Sequence, residues 1–282
     1  MFIRFLLIAF FVLTPLHSGA NPIFWIPKIE NSLIEYNQFE YQSIDPDDIN
    51  ILVWNVKKLQ NKNILDELVV YSQNTDFLLI QESLNIKKLE NFYKLENWGN
   101  YTAVSFIYTR SKLKTGVSIS SKVKPHFVDF KRSFQRELYF TTPKNLIFSY
   151  YPIKNHSQKL LIINIHALNF VKTSTLLGQL KLTQNIINEH QGPIIFAGDF
   201  NTWSKSKIYN VKLYMEKMGL QEVEFSNGHD RSRSPNGHYL DYIFTKNLIT
   251  KNANVISDSI TSDHKPLRAS FYFSSKSTNN AR

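Results

Sequence analysis

Four segments of this chain are almost entirely apolar, and each ends on side chains able to do chemistry. INILVWNV (49–56) carries Asn55, and DFLLI (76–80) runs into Gln81 and Glu82. LLIINIH (160–166) stops at His166, and PIIFAGDFN (193–201) stops at Asp199 and Asn201. A strand with one wet face alternates apolar and polar residues. A short continuous run fits a strand covered on both faces. Strands of that kind need a second layer on each side, which restricts the chain to a layered α/β architecture.

The remaining pattern supports this. Alternating segments at 101–109, 114–121, 136–142 and 145–152 predict further strands, with late strands over 238–245 and 266–273. Apolar spacing predicts helices over 63–74, 175–190 and 206–218. Two sheets packed face to face with helices outside are therefore expected. Hydrophobic residues make up 43% of the 282 positions, enough to fill the core of one domain over 49–273. A mixed lead-in (21–48) precedes it and a polar tail (274–282) follows. No repeat or linker divides it.

The first twenty residues have a different character. Arg4 is followed by an uncharged apolar stretch (5–16) and then by Ser18-Gly19-Ala20. This is the layout of a signal peptide (1–20) cleaved after Ala20, which predicts export to the periplasm or beyond. The apolar stretch falls short of the ~20 residues that span a bilayer, and an uncleaved membrane anchor is the alternative. The chain has no cysteine, so no disulfide framework is available to it. A formal net charge of +10 favours polyanionic partners such as nucleic acid or anionic lipid.

In layered folds the functional groups gather where strands stop. That places Asn55, Glu82, His166, Asp199, Asn201, Asp263 and His264 as candidates for one cleft. Hard divalent cations take oxygen ligands, which Glu82 and Asn55 offer. Asp199 and Asn201 lie two apart, so both side chains can face the same way; one suits a water, the other a phosphate oxygen. His264 can exchange protons near neutral pH, with Asp241 the candidate to orient it. Asp263, pointing away from its neighbour, suits a metal better. His166 would face phosphate. Each taken singly also fits an ordinary Asx turn, helix start or strand end. Arg231, Arg233, Lys205 and Lys207 fall in segments read as loops near Asp199 and Asp241, where they suit a phosphate backbone or simple solvation.

Taken in chain order, WNV, LLIQES, TGVSISS, NIHALNF, FAGDFNT, LDYIF and SDHKPL resemble the endonuclease/exonuclease/phosphatase superfamily, the DNase I-like fold. The resemblance spans roughly 49–273 and is most specific at GDFNT and SDH. It implies a four-layered α/β sandwich and hydrolysis of phosphoesters dependent on Mg²⁺ (or Mn²⁺). Asn55 and Glu82 match the metal pair, and His166 and Asn169 match phosphate-contacting positions. Asp199 matches the residue that orients water, and Asn201 the one that contacts the transition state. Asp241 matches the acid paired with the catalytic His264, Asp263 completes the terminal Asp-His pair, and Glu137 matches an acid partnering His166. Where one branch carries a second acid two residues after its Asn, this chain has Lys57. His166 favours the DNase I, sphingomyelinase and phosphatase branches over repair nucleases. The expectation is an exported, monomeric nuclease. A phosphomonoesterase or sphingomyelin-directed enzyme, or a non-catalytic polyanion-binding module, are the alternatives.

Overall fold

The computed structural model describes residues 22–139 and 141–273. The signal peptide expected over 1–20 and the polar tail at 274–282 lie outside these residues. Two β-sheets are stacked face to face. The first contains β1 (Phe24–Trp25), β2 (Leu33–Tyr36), β3 (Ile49–Asn55), β4 (Phe77–Leu84), β5 (Gly99–Tyr108) and β6 (Lys114–Ser121), with β13 (Ile249–Val255) and β14 (Leu267–Tyr272). Its order is β1-β5-β6-β4-β3-β14-β13, with β2 beside β5. The second contains β7 (Phe127–Arg132), β8 (Asn145–Pro152), β9 (Lys159–His166), β10 (Ile194–Asp199), β11 (Gln221–Glu222) and β12 (Asp241–Lys246), in the order β11-β12-β10-β9-β8-β7.

The continuous apolar runs divide by strand parity. Ile49, Ile51 and Val53 of β3 face inward and meet Ile147, Leu160, Ile162, Ile195 and Ala197 of the opposing sheet. Leu52 and Trp54, on the other face, pack under α1 (Ile64–Tyr71) and α2 (Lys87–Leu95) through Ile64, Leu68, Leu89 and Phe92. On the far side, Leu161, Ile163, Ile194 and Phe196 are covered by α3 (Thr173–Leu180), α4 (Gln184–Glu189) and α5 (Lys205–Lys217). The result is helix, sheet, sheet, helix: the four-layered α/β sandwich. Each run is unbroken because both of its faces are dry.

Several expected elements differ. The folded unit begins before Ile49: Leu33–Tyr36 pairs with Tyr101 and its neighbours, and Phe24–Trp25 with Ile107 and Tyr108, so part of the lead-in is sheet edge. The strand expected over 136–142 is a single helical turn at Glu137–Tyr139. There the Glu137 N–H donates to the Thr142 carbonyl (3.0 Å) and the Thr141 N–H back to the Glu137 carbonyl (3.1 Å), closing the segment on itself. The long helix expected over 175–190 is two helices joined by a tight turn at Lys181–Thr183. β7 and β13 are edge strands of mixed polarity, which hides them from a periodicity reading.

Candidate active site

The strand ends converge at one edge of the sandwich. β9 and β10 are parallel neighbours, with Asp199 opposite His166, and antiparallel β12 places Asp241 opposite Asp199 on the other side. Three candidate groups therefore come from adjacent positions of one sheet. The facing sheet contributes Asn55, whose strand is parallel to β4, with Asn55 opposite Gln81. A register shift between Ile80 and Ser83 lifts Glu82 out of the ladder at φ 54°, so that its carboxylate leaves the sheet at the cleft. Asn201 also lies in the left-handed region, at φ 50°. Such residues cost roughly 1–2 kcal/mol each and persist where the surroundings enforce them. Gly198, at φ 134°, is required: a Cβ there would overlap the Ile165 carbonyl oxygen.

Asp199 is the hub. Its Oδ2 accepts from Asn55 Nδ2 (3.1 Å) and its Oδ1 from the Asn201 N–H (2.9 Å). His166 Nε2 lies 3.6 Å and His264 Nε2 4.0 Å from Oδ2. His264 is fixed from both ends: Nδ1 is 2.8 Å from Asp241 Oδ2, and its carbonyl accepts from Trp54 Nε1 (2.8 Å). The Ser262 hydroxyl donates to the Asn55 carbonyl (2.7 Å), tying the SDH turn to β3. Asn201 Nδ2 donates to the Ala167 carbonyl (2.9 Å), and Trp203 Nε1 donates to Asn201 Oδ1 (3.0 Å). Gln179 of α3 braces the His166 segment by donating to the His166 carbonyl and accepting from the Leu168 N–H.

Proton affinities separate within this small volume. Burial pushes the Asp199 carboxyl up to about 7, with Asp241 adding to it and His264, Asn201 and Asn55 opposing. Burial works against the His264 cation, but the Asp241 carboxylate and its hydrogen bond, with Asp199 and Asp263, outweigh it and raise His264 to about 10. His166 goes the other way: burial, then the charges of Lys144, Lys58 and His264, hold it well below the ordinary histidine value, so its imidazole is neutral. One histidine is cationic, the other neutral, and a carboxyl group between them is poised near neutrality. That arrangement can move a proton and stabilise anionic charge.

Not every expected residue joins the cluster. Asp263 turns outward and pairs with Lys57 (3.0 Å), its side chain 57% exposed, so the carboxylate expected at the metal faces solvent. Glu137 does not partner His166: Oε1 accepts from the Asn169 N–H (3.1 Å) and Oε2 meets Lys144 (3.4 Å), bracing the loop after β9. Asn169 sits half-buried on that loop beside exposed Phe170. Arg231 is no loop cation. It pairs with Glu222 (3.2 Å) and stacks 3.9 Å from the centre of the Tyr239 ring. Arg233 is exposed but donates to the His229 carbonyl and to the Tyr239 hydroxyl. Lys205 and Lys207 belong to α5, and Lys207 is buried.

Sequence reading missed two lysines and an aromatic pair. Lys58 Nζ lies 3.0 Å from Glu82 Oε2, and Lys144 is buried beside Glu137. Phe170 and Trp203 approach with ring centres 5.5 Å apart. Nothing in periodicity distinguishes these residues; only the neighbouring motifs could have drawn attention to them.

Asp199, Asp241 and His264 present ligand atoms all within 4.8 Å of one another, a cluster that could hold a metal ion. Glu82 and Asn55 offer a second set of oxygen donors. Burial works against the Glu82 carboxylate, but Lys144 and Lys58 outweigh it and hold the group below the usual carboxylate range; the Asn55 carboxamide oxygen accepts from the Lys57 N–H (3.0 Å). Glu82 faces Lys58 (3.0 Å), and His264 Nδ1 faces Asp241 (2.8 Å).

Residues 52–264 match the model of the endonuclease/exonuclease/phosphatase family, and the chain belongs to that family. It is 34% identical over 232 residues to a UPF0294 protein of Vibrio campbellii, covering 82% of this chain and 80% of that one. A UPF0294 protein of Yersinia enterocolitica is 30% identical over 226 residues, covering 79% and 83%. Among solved structures, a family member from Leptotrichia buccalis superposes with a TM-score of 0.61 at 18% identity, covering 80% of this chain and all of that one. The human Nocturnin catalytic domain, solved with a bound sulfate, gives 0.61 at 16% identity (82% and 96% covered). A mannosyl-6-phosphatase of Bacteroides thetaiotaomicron gives 0.59 at 16% (80% and 100%). At these identities the likeness is one of fold. The family's enzymes are phosphoesterases and nucleases, typically metal-dependent.

Proposed function

We propose that the protein is an exported, monomeric Mg²⁺-dependent (or Mn²⁺-dependent) phosphodiesterase acting on nucleic acid, with residues 21–282 as the mature chain. The observation that carries the reading is the Asp199 hub, in which one buried carboxyl group meets Asn55, His166, Asn201 and His264. Glu82 and Asn55 would hold the ion, which when bound supplies positive charge to a phosphate oxygen. Asp199, with a proton affinity near neutrality, orients the attacking water and takes its proton. His264, kept cationic by Asp241, opposes the charge that develops on phosphorus. The neutral His166 and the second N–H of the Asn201 carboxamide donate to the phosphate oxygens, with Asn169 at the rim. Among the described residues no helix is long and apolar enough to cross a membrane.

Two features favour nucleic acid: the net charge of +10 and the exposed Phe170 beside Trp203 at the cleft rim. The test is a panel of plasmid DNA, RNA, inositol phosphates and sphingomyelin, each with Mg²⁺ or EDTA. Metal-dependent cleavage of DNA or RNA that weakens steeply with salt is expected. Turnover confined to a soluble monoester, or to sphingomyelin, would replace the nuclease reading. Asp199→Ala and His264→Ala should each lower turnover at least about 10²-fold; undiminished activity in both would remove the hub from the mechanism.

A further inference from the structure

The chain leaves β3 in an unusual way. Lys57, Lys58 and Leu59 follow one another at φ 45°, 54° and 54°, three L-residues in the left-handed region. A run of this kind is disfavoured residue by residue, so something must hold it. Its effect is to send two adjacent lysines in different directions. Lys57 meets Asp263 at the surface, with side chains 44% and 57% exposed. Lys58 turns inward, its ammonium 3.0 Å from Glu82 Oε2, with side chains 27% and 19% exposed. Glu82 is itself left-handed and lifted by the bulge. Both partners are thus bent toward each other from separate elements, unlike a surface pair formed by two flexible side chains.

We propose that Lys58 is a built-in cation that a divalent metal must displace from Glu82, so that this lysine sets the metal affinity of the site; the inference rests on the reading of Glu82 as the metal carboxylate. The reasoning is electrostatic. A Mg²⁺ ion lies ~2.1 Å from its carboxylate oxygens, and the Lys58 ammonium already stands within hydrogen-bond distance of the same carboxylate. A dication and an ammonium that close repel strongly in a partly dry cleft. Lys144, buried and held by Glu137 at 3.4 Å, adds positive charge near Glu82. Lys58, its side chain 27% exposed against 9% for Lys144, is the one with a route to solvent. The device keeps Glu82 neutralised without metal and reserves occupancy for high free-metal concentrations.

The experiment is a Mn²⁺ titration of the full mature chain by isothermal calorimetry and by the EPR signal of free Mn²⁺. Lys58→Met, close in shape and uncharged, is expected to bind Mn²⁺ at least 10-fold more tightly than the wild type. Lys58→Arg, which keeps the charge, is expected to stay within threefold of it. Unchanged or weaker binding by Lys58→Met overturns the proposal. Glu82→Gln separates the two readings: if it binds Mn²⁺ as the wild type does, the assignment of Glu82 as the ligand fails. Should Lys58→Met not fold, the wild type labelled at lysine carbon Cε serves instead. Mg²⁺ is expected to shift the Lys58 resonance with the same midpoint as binding, and a resonance that stays fixed through saturation overturns the proposal.

Discussion

Replacing Asp241 with Asn tests the electrostatics of the site at its most sensitive point. The substitution keeps the shape and an acceptor for His264 Nδ1, 2.8 Å away, but removes the charge. Without it, burial governs His264, and the imidazole becomes neutral at and below neutral pH. A rise from 6.5 to about 10 is, at ~1.4 kcal/mol per tenfold change in proton affinity, roughly 5 kcal/mol of preference for the cation. Asp241 is the foremost group favouring it, ahead of Asp199 and Asp263. The folded value lies above the unfolded one, so the stabilisation is complete below about pH 6.5 and is lost as pH rises through about 10. Wild-type stability should therefore slope downward across that window, while Asp241→Asn loses about 3–5 kcal/mol below pH 6.5 and shows little slope. Urea melts at pH 6, 8 and 10 measure this, and the His264 ring proton followed by NMR gives the titration directly. Turnover of Asp241→Asn at pH 7.5 should fall about 10²-fold and recover in part on acidification. A wild-type His264 that titrates below pH 7, or a variant with the wild-type pH profile, would refute the reasoning.

Three further outcomes follow from contacts beneath and beside the site. Gly198→Ala forces a Cβ into the Ile165 carbonyl at a φ of 134°, and should cost more than about 3 kcal/mol in a denaturant melt, well above an ordinary Gly-to-Ala change. Asn164 joins the sheets by donating to the Ile80 and Ser118 carbonyls and accepting from Gln81; Asn164→Ala should lose about 2–4 kcal/mol by stranding those partners, read by the same melt. Arg231→Ala should lower the melting temperature by several degrees with KM unchanged, because its guanidinium is spent on Glu222 and on the rings of Tyr239, Tyr242 and Phe225. A raised KM with full stability would return it to the substrate.

The sandwich was legible because its evidence is local and repeated. The unbroken runs ending at Asn55 and Asp199 fit strands dry on both faces, and the polar residues at their ends mark the cleft. What escaped was non-local. Edge strands such as Ile249–Val255 bury only Ala253 and Val255, so their composition resembles a loop. The helix Lys87–Leu95 is the local exception, with Leu89, Phe92 and Tyr93 buried at helical spacing among lysines and a glutamate. The turn after β3 runs left-handed, and no residue-type preference announces that Lys57 faces outward to meet Asp263 while Lys58 faces inward to meet Glu82.

The hub draws its groups from both sheets: Asn55 and Glu82 from one, His166, Asp199 and Asp241 from the other, with Gln81 and Asn164 bonded across the interface below. No single sheet carries a working half-site. A chain still being made, or one held open, has these groups scattered on surfaces that have not yet met. The site is assembled by the same event that completes the folding.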